Sequence, residues 1–216
     1  MHDSHCGTGS YRGTGSYRSW LLTNLLGGVV AGLLEAQFQF LGTLILAGLP
    51  LAVAQGLYLR RRLAYPWQAV WLWSGALALG WPAAHLLYVS GQSWATPLIE
   101  LVDMLPFGGG VVGINVVRLA FVLLIIGFAH SFVIAWLVAP QRRGAWLLYW
   151  PLLSAIAGAG LGGVQANLCS VACDPLGQWG GSLLVGATLG AAGWLCYALI
   201  VGPFLPLPPV NKPATQ

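Results

Sequence analysis

The stretch QGLYLRRRLAYPW, Gln55 to Trp67, joins two long apolar runs and decides how the rest of the chain folds. Three consecutive arginines, a third of the nine basic residues, stand at its centre. Charged side chains are costly in hydrocarbon, and Lys and Arg collect in the short cytoplasmic loops between membrane-spanning helices. The stretch therefore indicates a loop at a membrane surface, with one spanning helix before it and another after it.

The composition is that of a chain whose main solvent is a lipid bilayer. Charged residues make up 6% and hydrophobic residues 57% of the 216 residues, whereas a soluble domain has about 25% charged residues. The eleven tryptophans suit the level of the lipid headgroups. The formal charge of +4 comes from basic residues scattered over short loops, which argues against nucleic-acid binding.

Span length predicts an all-α polytopic membrane protein with six transmembrane helices, because about 20 residues cross the hydrocarbon core. The candidate spans are 20–38, 40–59, 67–89, 113–138, 145–165 and 180–203. The first two run together, and the least hydrophobic place for a turn lies between Gln37 and Gly42. Residues 1–19, with GTGSYR twice in tandem, and the Pro-rich residues 204–216 are predicted to be flexible cytoplasmic tails around the 20–203 bundle.

The sorting of basic residues predicts the orientation. With six crossings, eight of the nine lie on one side: Arg12, Arg18, Arg60, Arg61, Arg62, Arg142, Arg143 and Lys212. The opposite loops hold Glu100, Asp103 and Asp174 but no Lys or Arg. We therefore expect both termini in the cytoplasm, with the chain in a bacterial inner or thylakoid membrane.

Two outer loops carry local predictions. In the loop 90–113, Thr96 and Pro97 are typical of a helix start, and the apolar residues that follow share one face, so we expect a short amphipathic helix on the outer surface. In the last outer loop, Cys169 and Cys173 are expected to form a disulfide if the outside is oxidising. Their C-x3-C spacing is a poor zinc or redox signature, and no metal site is predicted.

Four polar residues inside the spans reach a similar level in the outer half of the membrane. Helical rise places Glu35 about 22 Å into the first span and His85 about 27 Å into the third. Arg118 lies just below the outer end of its helix, and Asn115 is one turn away. We favour a Glu35–Arg118 ion pair that joins the first and fourth helices; the alternative is a polar site that binds an anion or relays protons.

His130 lies near the middle of the bilayer, about 13 Å from the cytoplasmic end of its span. A neutral imidazole there either hydrogen-bonds a neighbouring helix, which we favour, or ligates the magnesium of a chlorophyll. Haem between spans usually takes two histidines at matched depth, and His85, a weaker pigment ligand, lies at the wrong level. A chlorophyll or carotenoid therefore stays open as a cofactor.

Glycines four residues apart recur within the spans, as Gly28/Gly32, Gly158/Gly162 and Gly186/Gly190. Such pairs let helix backbones approach closely in lipid, where packing replaces the hydrophobic effect. We favour contacts within the chain over docking of a partner. Windows 55–81 and 135–161 also align at an offset of eighty residues, which indicates a weak parallel repeat.

The residues from Gln55 to Arg61, followed by Trp67, Trp71 and Gly80-Trp81, resemble the recurring Q-W-L-V-L-R-R…W-W…G-W pattern of uncharacterised multi-span proteins common in cyanobacteria. The first span adds the layout N-x3-G-x3-G-x2-E, at Asn24, Gly28, Gly32 and Glu35. The chain departs from the pattern at Gly56, where the pattern has Trp. The resemblance covers the first ninety residues best and implies a lineage, not a mechanism.

Catalytic signatures such as G-x-S-x-G, H-E-x-x-H or a Walker loop do not occur in the sequence, so we predict that the protein is not an enzyme. The favoured hypothesis is a non-catalytic membrane subunit of a larger complex. It would act as a scaffold, with other membrane subunits and the lipid bilayer as partners, and it would hold pigments if it is a photosynthetic accessory subunit. The alternative is a small-solute or ion transporter or channel.

Overall fold

A computed structural model describes residues 14–106, 109 and 111–206, and the regular structure in these residues is entirely helical. The α-helices are α1 Thr14–Leu41, α2 Gly48–Arg62, α3 Trp67–Ser90, α4 Gln92–Asp103, α5 Val112–Val133 and α6 Arg143–Val201. Short π-helical segments, Gly42–Leu46 and Ile134–Val138, lie before α2 and after α5. Most of both predicted tails lies outside the described residues, but α1 begins six residues before the predicted span, so 14–19 is helical.

The chain turns between α1 and α2 within the predicted segment. Gln39 has φ 48° and ψ −119°, a left-handed conformation that breaks the helix. Beyond it, a methyl group on Gly42 would overlap the carbonyl oxygen of Leu34, so the chain folds back directly onto α1. Only glycine allows this approach.

The last predicted outer loop is instead helical, which corrects the expected boundaries 145–165 and 180–203. The helix α6 continues through this region, and the break comes at Gly181, with φ 67° and ψ −169°. The two halves of α6 then pack on each other, with Gly160 beside Cys196 and Ile200. Hydropathy separates polar from apolar residues but does not separate a polar loop from a helix that extends beyond the bilayer.

The outer helix α4 starts at Gln92, four residues before the predicted start at Thr96, so Pro97 lies inside the helix. The earlier start is supported by Ala95, which is fully buried with Tyr88 and Val117. At the other end, the Asp103 carboxylate accepts hydrogen bonds from the backbone N–H groups of Gly109 and Gly113, both at 3.1 Å. This carboxylate fixes the turn into α5.

Within the described ranges, four helical segments are long and apolar enough to cross a membrane: Tyr17–Gln39, Gly42–Arg62, Val112–Val138 and Arg143–Phe204. The fourth has 62 residues and contains the Gly181 break. Helix α3, with 24 residues, is long enough to cross a membrane but is not among these four. The described part of the chain is therefore all-helical, with four helices suited to a membrane, and six crossings stay a prediction.

The three predicted glycine pairs all pack within the chain. Gly28 and Gly32 of α1 face Gly190 and Gly186 of α6, and a methyl group on Gly32 would overlap the carbonyl oxygen of Gly186. In the first half of α6, Gly158 and Gly162 face the α5 backbone at Leu119 and Asn115 in the same manner. Helix α6 thus holds α1 with one half and α5 with the other.

Candidate functional site

A buried chain of hydrogen-bonded polar side chains joins three helices of the bundle. The Gln55 amide nitrogen donates to Asn24 Oδ1 at 2.8 Å, and Trp73 Nε1 donates to Gln55 Oε1 at 3.0 Å. The Asn24 amide in turn donates to the carbonyl oxygen of Trp20 at 3.0 Å. Asn24, Gln55 and Trp73 are all buried. Because each member has partners, this network can lock α1, α2 and α3 in one register.

His130 of α5 extends this network to a fourth helix. Its ring stacks on the Trp73 indole, with ring centroids 3.7 Å apart and an interplanar angle of 7°, and Nε2 donates to the carbonyl oxygen of Trp73 at 3.1 Å. The side chain is 1% exposed. In this arrangement Nε2 carries a proton and has no free lone pair for a chlorophyll magnesium. The geometry fits a histidine that hydrogen-bonds a neighbouring helix, and pigment binding stays a prediction.

Of the two indole N–H groups near His130, that of Trp73 has a hydrogen-bond acceptor and that of Trp150 has none among the described residues. Trp150 of α6 packs edge-on against Trp73, with centroids 5.8 Å apart. Trp150 Nε1 and Ser154 Oγ, one helical turn apart and buried, have no hydrogen-bond partner in the described part of the chain. Ser154 packs directly against Gly127 of α5. The residues around His130 are therefore held by ring stacking and close packing as well as by hydrogen bonds.

A second polar cluster, formed by Glu35, His85, Asn115 and Arg118, joins α1, α3 and α5 nearer the predicted outer surface. Arg118 Nη2 donates to Asn115 Oδ1 at 2.7 Å. The Glu35 carboxylate and the Arg118 guanidinium attract each other electrostatically. Within the described residues, however, Glu35 has no Lys, Arg or His nitrogen within 4 Å. The structure thus brings the predicted pair together without the direct ion pair that the sequence predicts.

His85 and Arg118 keep unused hydrogen-bonding atoms in this outer cluster. His85 Nδ1 donates to the carbonyl oxygen of Trp81 at 3.0 Å, which leaves Nε2 as an acceptor. His85 Nε2 and Arg118 Nε are buried, and neither has a partner among the described residues. Buried polar atoms are seldom left unsatisfied without a bound water, ion or ligand. The cluster therefore has the chemistry of a small polar site.

The two outer cysteines of α6 lie on one face of the helix. Cys169 and Cys173 are joined by a disulfide with their Cα atoms 4.6 Å apart. The bridge closes a single helical turn instead of the loop that the sequence suggested. Its position on a helix means that it fastens no separate segment to the bundle.

Two apolar grooves lie side by side on the surface of the bundle, one on each side of Trp71 and Gly75 of α3. The α2–α3 groove has a volume of about 370 Å³ and runs between α2 and α3, and the α3–α5 groove has a volume of about 580 Å³ and lies between α3 and α5. Trp71 and Gly75 line both grooves. A methyl group added to Gly75 would meet nothing within 4 Å, unlike one on the glycines that pack between helices. Gly75 therefore keeps space open on the surface.

No protein-family model matches this chain, and comparisons with curated proteins and with solved structures find no similar sequence or fold. The functional interpretation therefore rests on the grooves and on the two polar clusters.

Proposed function

We propose that the protein is an integral membrane protein with six crossings that works as a non-catalytic subunit of a larger membrane complex. The observation that carries this proposal is the α3–α5 groove. Its lining is apolar and includes Leu79 of α3, which is 75% exposed. Phe132 of α5 and Trp136 of the π-helical segment that follows α5 also line it and are half exposed. Trp71, at its border with the other groove, is 70% exposed.

A hydrophobic helix of another membrane protein is the proposed occupant of the α3–α5 groove. Helices associate in lipid through close packing of ridges into grooves, and small residues allow that approach. Gly75, Ala76 and Ala129 supply small residues to the lining of this groove, beside its large side chains. Among the described residues that line it, none is charged. These features suit a helix with an apolar face.

Six crossings are supported by the way in which α6 folds back at Gly181 and by the length of α3. Counting α1, α2, α3, α5 and the two halves of α6 as spans places the loops 63–66 and 139–142 on one side with both chain ends. Arg142 lies in the second of these loops, and Arg60, Arg61, Arg62 and Arg143 lie beside the two loops in the sequence. The positive-inside rule then assigns that side to the cytoplasm.

We expect single cysteines at Ala64 and Gln141 to be labelled from the cytoplasmic side and one at Ser93 from the outside, in a cysteine-free variant. All three residues are exposed loop or surface positions. Labelling with a membrane-impermeant maleimide in intact cells and in inverted vesicles gives the readout. Labelling of Ala64→Cys and Gln141→Cys from opposite sides would rule out the six-crossing arrangement.

Ala129→Phe should reduce copurification of the partner about tenfold or more. Ala129 is exposed and lines the α3–α5 groove, so the phenyl ring would occupy the space that the partner needs. Ala83→Phe is the matched control, since Ala83 is exposed on α3 outside both grooves. The measurement is the ratio of partner to tagged protein after gentle solubilisation.

The same purification tests the other parts of the proposal. A pigment held by the protein would copurify as an absorption band, which is the result expected of a photosynthetic accessory subunit. A lone, colourless protein whose recovery is unaffected by Ala129→Phe would contradict the subunit role. It would favour the second candidate, a small-solute transporter, which is supported by the unpartnered His85 Nε2 and Arg118 Nε.

A further inference from the structure

The α2–α3 groove differs from its neighbour because one of its ends is charged. Its walls come from one face of α2, including Leu49, Val53 and Leu57, and from α3, including Val70 and Ala78. Among the described residues that line this groove, Arg60 is the only charged one. The groove is thus a long apolar trough with a guanidinium at one end.

Arg60 is held at that end by two contacts. Its guanidinium lies over the Trp67 ring, 4.8 Å from the centroid, and Nη1 donates to the carbonyl oxygen of Tyr65 at 3.0 Å. These contacts use one N–H group and one face of the guanidinium, which leaves other N–H groups for an external acceptor. Its neighbours Arg61 and Arg62 are exposed and do not line the groove.

The length of the groove matches the depth of one lipid leaflet. Along α2 the lining extends from Leu49 to Arg60, which is about 16 Å at the rise of an α-helix. Half of the hydrocarbon core of a bilayer measures about 15 Å. With Arg60 at the membrane surface, the apolar end of the groove therefore lies near the bilayer midplane.

We propose that the α2–α3 groove binds an anionic phospholipid, with one acyl chain along the trough and the headgroup phosphate at Arg60. This inference rests on the membrane placement in the proposed function, but not on the partner. A phosphate diester is an acceptor of the kind that a guanidinium binds through paired N–H groups. Anionic lipids are also concentrated in the leaflet that faces basic loops. A partner helix with an apolar face would leave Arg60 without a counter-charge.

The test is native mass spectrometry of the detergent-purified, delipidated protein, titrated with phosphatidylglycerol or with phosphatidylcholine of the same acyl chains. We expect one phosphatidylglycerol to bind about fivefold more tightly than phosphatidylcholine, because one basic residue near a membrane surface contributes about that factor. Arg60→Met should abolish the preference. Arg62→Met removes the same charge from outside the groove and should retain it.

Two more variants separate lipid binding from damage to the loop, because Arg60→Met also removes the hydrogen bond to Tyr65. Arg60→Lys keeps the charge and should keep most of the preference. Gly75→Leu leaves Arg60 in place, fills open space in the groove and should weaken the binding of both lipids. Equal effects of Arg60→Met and Arg62→Met, or undiminished binding by Gly75→Leu, would overturn the proposal.

Failure of the lipid site and failure of the proposed function give different results. A protein that shows the predicted cysteine labelling and copurifies with a partner, but binds both lipids equally, would refute only the lipid site. A protein that prefers phosphatidylglycerol but has no partner would refute only the subunit role.

Discussion

Gly32→Leu should prevent the bundle from closing. A single added methyl group at this position already overlaps the carbonyl oxygen of Gly186, and the contact is reciprocal, since Gly186 faces the Gly32 backbone. Helices α1 and α6 would have to separate, which exposes their shared surface. We expect a loss of about 3 kcal/mol or more in the free energy of unfolding, and a smaller loss for Gly32→Ala. Unfolding in mixed micelles with increasing SDS measures both values.

The control for this substitution is Gly75→Leu, which adds the same side chain to a helix in the same bundle. Because a methyl group on Gly75 meets nothing within 4 Å, its stability should change by about 0.5 kcal/mol or less. Equal losses for the two leucine variants would mean that leucine is harmful in these helices wherever it stands. The close contact between α1 and α6 would then not be the cause.

Gln55→Leu should cost about 2–4 kcal/mol, although leucine is more apolar than glutamine and suits a membrane better. The change leaves Asn24 Oδ1 and Trp73 Nε1 without partners in a buried site, and each orphaned group costs about 1–3 kcal/mol. Gln68→Leu is the matched control, because Gln68 is exposed on α3. Its effect should be close to zero or stabilising.

The double variant Asn24→Leu/Gln55→Leu gives a sharper test of the same network. If the hydrogen bond between the two side chains stabilises the fold, the double variant should lose less free energy of unfolding than the sum of the two single losses. Strict additivity would show that the hydrogen bond between them contributes nothing, whatever the single variants cost. The same SDS titration gives all four free energies.

The sequence was enough to predict that certain polar residues of different helices lie at the same level of the bundle. Helical rise put Glu35, His85 and Arg118 at a common level, and the structure brings Arg118 into electrostatic contact with both of the others. The turn at Gln39 could be located because two crossings need about forty residues. Depth depends on counting residues, and counting needs no knowledge of neighbouring helices.

Rotation about each helix axis could not be predicted in the same way. Whether Gln55 faces Asn24 or lipid depends on how α1, α2 and α3 pack together, and no spacing in one segment contains that information. For the same reason the sequence indicated His130 as a candidate ligand but did not predict that the Trp73 ring stacks on it. The outer part of α6 was missed for another reason, since a polar helix and a polar loop have the same hydropathy.

The contact between α1 and the end of α6 also determines when the fold can be completed. Trp20 Nε1 donates to the carbonyl oxygen of Ala198, 178 residues later in the chain. At about 5–20 residues per second, a ribosome needs about 10–35 s to make that interval. For nearly all of this time the glycine face of α1 lacks its partners Gly186 and Gly190, although α2 and α3 are already made. Helix α1 is therefore complete long before the part of α6 that covers its glycine face has been made.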